Sequence, residues 1–369
     1  MAEILGLGIS HWPRFGQRDD MLSYWLRKTL EDPDIPAEKK DPSTWPARMR
    51  EEWGDDQGLA KAAEHRAAML TGLRRVRQAL DEFKPDAVVV WGDDQYENFR
   101  EDVVPAFCIL AYQEDLDCKP WGETPNHWGE SSETTFHVKM APEIGKYLAC
   151  GLLEAEFDVA YAYKPLHYPG LPHAFMNAVL YLDYDRVGFP YPMVPFQVNC
   201  YGRYVISHRG IGFPYAEANK PLDPPAPSPR RCFEIGRATA RVLAKSPWRI
   251  ALIASSSWSH GFLCDRNWHL YPDVTADRRL YDAMLKRDWK TWYETPLKEI
   301  EDAGQHELLN WFCLMGAMSE LDYAVQWSDF VETYVYNSDK VSAIFGPATA
   351  NGGADERVAA SPGLSAVRR

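Results

Sequence analysis

The 369-residue chain has no apolar run near the roughly 20 residues that a membrane helix needs, and its first residues lack a basic region followed by an apolar one. It also lacks a basic excess, since 40 Lys and Arg stand against 53 Asp and Glu, a net charge of -13. Neither membrane insertion nor nucleic-acid binding is therefore expected. These absences favour a cytoplasmic enzyme that acts on a small molecule.

Several familiar motifs are missing as well. The seven cysteines are scattered without a CxxC pair, which argues against disulfides and a zinc ribbon. No phosphate-binding GxxxxGK[ST] loop is present, and Gly6-Leu-Gly8 lacks the third glycine of a dinucleotide fingerprint. The serines at 255–257 follow a strand-like run but lack the glycines of a GxSxG elbow. Nucleotide binding is excluded and serine hydrolase chemistry is disfavoured.

What is present is an alternation of helix-like and strand-like segments. Apolar residues recur at three- and four-residue spacing over residues 59–83, which predicts a helix, and further helices are predicted at 230–243 and 275–285. Apolar runs predict buried strands at 3–11, 87–91, 157–161, 193–198 and 249–254. We therefore expect an α/β catalytic domain over residues 1–335, with an irregular insertion at 14–58 and a partly disordered C-terminal extension at 336–369.

Polar residues stand where several of these strands end, among them His11, Asp93 and Asp94. Because ligands of open α/β sheets bind beyond the carboxyl ends of the strands, these side chains should converge on one site. His173 and His260 also follow apolar segments, and imidazoles with carboxylates could hold a non-heme metal or transfer protons. The alternative is that each histidine is a hydrogen-bonding structural residue.

Six segments, taken in order, resemble the catalytic chain of the class III extradiol ring-cleaving dioxygenases, the family of the protocatechuate and gallate dioxygenases. The resemblance covers roughly residues 4–330 and implies a central mixed β-sheet flanked by helices. Its segments are Gly8-Ile-Ser-His11-Trp-Pro, Val88-Val-Val-Trp-Gly-Asp-Asp94, Leu171-Pro-His173-Ala-Phe, Val194-Pro-Phe-Gln-Val-Asn199, Ser257-Trp-Ser-His260-Gly-Phe and Glu307-Leu-Leu-Asn-Trp-Phe-Cys-Leu-Met-Gly-Ala317.

The resemblance implies a ferrous ion held by two histidines and one carboxylate. His11 matches the first ligand, but Asp94 stands at the place of the second histidine and Thr275 at the place of the glutamate. A divalent metal, Fe²⁺ or alternatively Mn²⁺, is expected on His11, Asp94 and Asp273. Other side chains that could complete the set are His269, Gln95 and Glu97.

The resemblance also assigns roles around the metal. His260 matches the histidine that takes a proton from the substrate hydroxyl, and His173 matches a second pocket histidine that contacts substrate or oxygen. Asn199, Tyr201 and His167 are expected to line the substrate pocket, although an asparagine at a strand end often only closes a turn.

The implied activity is opening of a catechol-like ring with O₂ by a homo-oligomer. The Trp-rich insertion and the segment 305–309 are candidate subunit contacts. Two alternatives remain at this stage. The altered ligands could support an O₂-independent hydrolysis, decarboxylation or isomerisation of an aromatic-derived acid, or the chain could be a metal-free binding subunit.

Overall fold

The computed structural model describes residues 2–209 and 222–348. Its strands form an eight-stranded mixed sheet in the order β6-β3-β7-β2-β8-β1-β10-β9 and a separate β4-β5 pair. The strands are β1 (Ile4–Ile9), β2 (Ala87–Asp93), β3 (Phe107–Leu110), β4 (Leu116–Cys118), β5 (Phe136–Val138), β6 (Ala160–Ala162), β7 (Met193–Val198), β8 (Ile250–Ser255), β9 (Tyr323–Val331) and β10 (Lys340–Pro347).

Helices cover both faces of the sheet. Helices α4 and α6 pack on one face, and α5, α7 and α11 pack on the other. The predicted fold class, a mixed sheet flanked by helices, is confirmed. The helices are α1 (Tyr24–Glu31), α2 (Ala37–Lys40), α3 (Ala47–Trp53), α4 (Leu59–Phe83), α5 (Pro142–Glu154), α6 (His173–Leu182), α7 (Pro229–Leu243), α8 (Val274–Leu285), α9 (Trp289–Glu294), α10 (Leu297–Asp302) and α11 (Leu309–Glu320).

The centre of the sheet is parallel, because β7, β2, β8 and β1 pair with one another in parallel. Every residue of β2, β7 and β8 is buried, as expected of strands that are covered on both faces. The carboxyl ends of these four strands therefore lie at one edge of the sheet, where the sequence predicts the site.

Most predicted elements occur where the sequence places them, with α4 and β7 matching residue for residue. The strand predicted at 157–161 is shorter and later, because the amide of Phe157 donates to the carbonyl of Leu152 and closes α5 instead. Strand β10 lies between β1 and β9, so the sheet continues past the boundary predicted at residue 335. The rest of the predicted extension, from residue 349, lies outside the described residues.

The insertion at 14–58 contains short helices and turns, and it is anchored in the core beneath α4 and α6. Phe15, Leu22, Trp45 and Met49 are buried there with residues of both helices. Among the described residues, no helix combines the length and the apolar character needed to cross a membrane.

Candidate metal centre

Four side chains meet at the carboxyl edge of the sheet. His11 follows β1, Asp93 ends β2, His173 begins α6, and Glu307 lies just before α11. One candidate ligand atom from each lies within 4.8 Å of the others. His11, Asp93 and Glu307 are at most 2% exposed. Two imidazoles and two carboxylates of this kind can hold a divalent metal.

The protonation of His11 is fixed by its neighbour Ser255 at the end of β8. The Ser255 hydroxyl donates to the carbonyl of Ala174 at 2.7 Å, so its oxygen can only accept from Nδ1 of His11, which lies 3.2 Å away. Neutral His11 therefore carries its proton on Nδ1 and turns the lone pair of Nε2 towards the cluster. This is the tautomer that binds a metal through Nε2.

Glu307 is the most heavily contacted member of the cluster. Its carboxylate accepts hydrogen bonds from the Tyr201 hydroxyl at 2.8 Å, the Gln95 amide at 3.1 Å and the Ser257 backbone amide at 3.1 Å. Burial alone would raise the pKa of Glu307, but the imidazoles of His260 and His11 lower it below its usual range. Glu307 is therefore a carboxylate in the folded chain.

The other two members have different surroundings. Burial and the charge of Glu307 raise the pKa of Asp93 to about 6. Nδ1 of His173 lies 2.9 Å from the carboxylate of Glu97, which also accepts the backbone amide of His173 at 2.8 Å. Burial opposes protonation of His173, but the charge and hydrogen bond of Glu97 raise its pKa to about 10. Glu97 thereby orients the ring and favours its protonated form, in which Nε2 also carries a proton.

These residues fit a cation. Nε2 of His11 and Oδ1 of Asp93 are buried and have no hydrogen-bond partner within the described parts of the chain. Nε2 of His11 nevertheless lies 3.2 Å from Oε2 of Glu307. When His11 is neutral in the tautomer above, both atoms are acceptors and repel unless a positive charge lies beside both. Either a proton on His11 or a metal ion bound by both residues supplies that charge.

His260 lies beside the cluster as a group suited to proton transfer. Its Nε2 is 3.3 Å from Oε1 of Glu307, and its Nδ1 is buried without a partner among the described residues. Burial lowers the pKa of His260, which keeps the imidazole neutral. A neutral ring that donates from Nε2 to Glu307 has Nδ1 free to accept a proton.

Two of the three predicted metal ligands are not in this cluster. The carboxylate of Asp94 turns into its own loop and accepts the backbone amides of Glu97, Asn98 and Phe99 at 3.0, 2.9 and 3.3 Å. Asp273 is the N-cap of α8, where it accepts the amide of Ala276 at 3.0 Å. The candidate cluster therefore contains Asp93 and Glu307, whereas Asp94 and Asp273, the ligands predicted from sequence, lie outside it.

Thr275, which aligns with the family's glutamate, lies exposed in the first turn of α8. The carboxylate at the site comes instead from Glu307, in the 305–309 segment that the sequence suggested for subunit contacts. That suggestion is wrong, because Gln305, His306 and Glu307 are buried within the chain. An acidic residue just ahead of the largely apolar and buried α11 was the signal that could have identified Glu307.

The three residues predicted to line the pocket lie in different surroundings. Tyr201 reaches the cluster through its hydrogen bond to Glu307. Asn199 closes a turn by accepting the amide of Gly202 at 3.0 Å. His167 pairs with Asp102 at 2.8 Å on a partly exposed loop and is not a member of the cluster. Gln95, whose amide bridges Asp93 and Glu307 at 3.0 and 3.1 Å, was named only as a substitute ligand.

The mixed sheet and the cluster at its carboxyl edge define an α/β protein with a candidate divalent-metal centre. Residues 221–345 match the family described as the catalytic LigB subunit of aromatic ring-opening dioxygenase. This match, which covers about a third of the chain, and the relatives below show that the chain is similar to the class III extradiol dioxygenases.

Curated relatives include 2,3-dihydroxyphenylpropionate/2,3-dihydroxicinnamic acid 1,2-dioxygenases. The enzyme of Comamonas testosteroni is 25% identical over 199 residues, which cover 54% of this chain and 50% of that protein. The enzyme of Burkholderia vietnamiensis is 28% identical over 187 residues, which cover 51% of this chain and 47% of that protein. The chain therefore spans about half the length of these relatives.

Proposed function

We propose that this chain is a metal-dependent extradiol-type dioxygenase, which opens the ring of a catechol-like substrate with O₂. The observation that carries the proposal is the pair formed by Nε2 of His11 and the carboxylate of Glu307, which face each other at 3.2 Å without a hydrogen bond. The family match and the activities named for the relatives support the same reaction class.

His11, Glu307 and Asp93 would hold the metal, which we propose to be Fe²⁺, with Mn²⁺ as the alternative. Such a metal, when bound, supplies Lewis acidity for neighbouring hydroxyl oxygens and a partner for O₂. His260 accepts the proton of a substrate hydroxyl at Nδ1, which lacks a partner within the described structure. His173, oriented by Glu97, holds a proton towards substrate or oxygen at Nε2.

The test begins with elemental analysis of protein purified without chelators. We expect about one divalent metal per chain, and a severe loss of it in His11→Ala and Glu307→Gln. Asp93 and Asp94 offer a matched pair, because only the first faces the cluster. Asp93→Asn should lower metal affinity, whereas folded Asp94→Asn should retain it. Equal loss in both would contradict the revised ligand set.

Oxygen uptake then tests the reaction itself. Protein reconstituted anaerobically with Fe²⁺ or Mn²⁺ should consume O₂ with at least one catechol, and the product should carry both atoms of ¹⁸O₂. Turnover that needs no O₂ would overturn the proposal in favour of hydrolysis, decarboxylation or isomerisation. Absence of both metal binding and turnover would favour a binding subunit.

We also propose that the protein is a cytoplasmic homo-oligomer. All seven cysteines lie in the described ranges as free thiols, and Cys150 is exposed, which is consistent with a reducing compartment. The exposed rings of Tyr161 and Tyr163 lie at the β6 edge of the sheet, with Leu166 nearby, and offer an apolar contact surface. Light scattering on the purified protein measures the number of chains per particle. A monomer at every concentration would contradict the proposed homo-oligomer.

A further inference from the structure

A recess of about 30 Å³ lies beside His306, the residue that precedes Glu307 in the chain. Tyr204, Leu263 and His306 form part of its wall, and Asp265 and Glu301 also line it. His306 precedes Glu307 in the chain, and its ring stacks on Tyr201 at a centroid distance of 5.8 Å. The recess therefore shares one wall with the residues that hold the carboxylate of the site, and it has room for a group the size of about one or two water molecules, such as the polar end of a ring substituent.

His306 is the residue of this wall whose ring nitrogens both lack hydrogen-bond partners in the described parts of the chain. The residue is 4% exposed. The rings of Tyr201 and Tyr204 contact the imidazole without supplying a hydrogen bond to it. A buried imidazole with two unpaired nitrogens is unfavourable, and a ligand that both donates and accepts a hydrogen bond would relieve it.

The charges of the recess select among such ligands. Its described lining includes the carboxylates of Asp265 and Glu301 and contains no lysine or arginine. Arg203 lies 3.3 Å from Glu301 and partly balances its charge. His208 and His269 also line the recess, and burial lowers the pKa of His269, which favours its neutral form. A carboxylate on the ligand would meet two like charges at the rim, whereas a hydroxyl or an ammonium group would not.

We propose that this recess binds a ring substituent of the substrate, and that the preferred substituent bears a hydroxyl or an amine and not a carboxylate. The inference rests on the proposed function, because it places the substituent of the same catechol whose hydroxyls face His11 and Glu307. It separates this chain from the relatives, whose named substrates are a phenylpropionate and a cinnamic acid.

The test compares catechols that carry side chains of matched length. Oxygen uptake by the metal-loaded protein is measured with catechol and with its ethyl, 2-hydroxyethyl, 2-aminoethyl and 2-carboxyethyl derivatives, each as the 3- and the 4-isomer. We expect kcat/KM for the hydroxyethyl compound to exceed that for the ethyl compound at least tenfold, because only the hydroxyl pairs with His306. The aminoethyl compound should exceed the carboxyethyl compound at least fivefold.

Two variants assign these preferences to the recess. Asp265→Asn should reduce the ratio of aminoethyl to carboxyethyl kcat/KM at least twofold, whereas Asp282→Asn, at an exposed position of α8, should leave that ratio unchanged. His306→Phe should abolish the preference for hydroxyethyl over ethyl. If that variant does not fold, the ratio in the parent protein still decides the question.

The outcomes distinguish the two proposals. Uptake with catechol but equal rates for the hydroxyethyl and ethyl compounds, or a preference for the carboxyethyl compound, would overturn the recess inference and leave the dioxygenase proposal standing. No uptake with any catechol, under either metal, would overturn both.

Discussion

The hydroxyl of Tyr201 donates a 2.8 Å hydrogen bond to Oε1 of Glu307, and each residue is 2% exposed. This bond joins the loop after β7 to the segment before α11, two parts of the chain that are 106 residues apart in sequence. Because Glu307 also faces His11 and His260, the position of its carboxylate depends on how firmly Tyr201 holds it.

Removing the hydroxyl of Tyr201 should therefore lower both the stability of the fold and the affinity of the site for metal. In Tyr201→Phe we expect the free energy of unfolding to fall by about 2 kcal/mol, as for a hydrogen bond to a charged group, and metal affinity to fall with it. Urea unfolding and metal titration measure the two effects. Tyr281→Phe is the control, because it removes a buried hydroxyl that bonds Ser328 away from the cluster. Unchanged metal affinity in Tyr201→Phe would contradict the positioning role.

Ser255 should control metal binding through the tautomer of His11. Ser255→Ala removes the oxygen that accepts from Nδ1, so the ring loses its fixed orientation. We expect metal affinity to fall by roughly 10- to 100-fold, the usual effect of losing such a supporting contact. The neighbouring Ser256 is also buried, but its hydroxyl has no partner among the described residues. Ser256→Ala should therefore keep the parent's affinity, and equal dissociation constants for both variants would reject the tautomer argument.

The sequence predicts the sheet better than it predicts the ligands. A long periodic segment predicts α4 and a mostly apolar run predicts β7, and the predicted boundaries of both agree with the structure. Whether Asp93 or Asp94 faces the site depends on the exact residue at which β2 ends, because successive side chains point to opposite faces. Glu307 lies near His11 only through tertiary packing between distant segments, and no local pattern encodes that contact.

The crossing of α7 and α11 should tolerate no side chain at its closest point. A Cβ built on Gly236 would lie 1.8 Å from the carbonyl oxygen of Cys313, a backbone atom that cannot rotate away. We expect Gly236→Ala to lower the free energy of unfolding by roughly 2 kcal/mol or more, despite the better helix propensity of alanine. Thermal unfolding measures this. Gly122→Ala, where the added methyl meets nothing within 4 Å, should stay near the parent, and a Gly236→Ala variant of equal stability would contradict the close crossing.

Asp277 should make the stability of the fold depend on pH. Burial raises the pKa of Asp277 to about 6, although Ser259 and Gln305 donate hydrogen bonds to it. Its pKa in the unfolded chain is near 3.8, so between these values the folded chain binds more protons at this site than the unfolded chain does. The stabilisation is thus complete below about pH 4 and is lost as the pH rises through about 6.

This dependence can be isolated by subtraction, because Asp277→Asn removes the titrating group at a fully buried position of α8. The free energy of unfolding of the parent minus that of Asp277→Asn, measured by urea unfolding from pH 4 to pH 7, should decrease as the pH rises. Asp282→Asn changes an exposed carboxylate of the same helix and should follow the parent at every pH. A constant difference between the parent and Asp277→Asn would mean that Asp277 keeps the same charge in the folded and unfolded chain, and that its burial has no electrostatic cost.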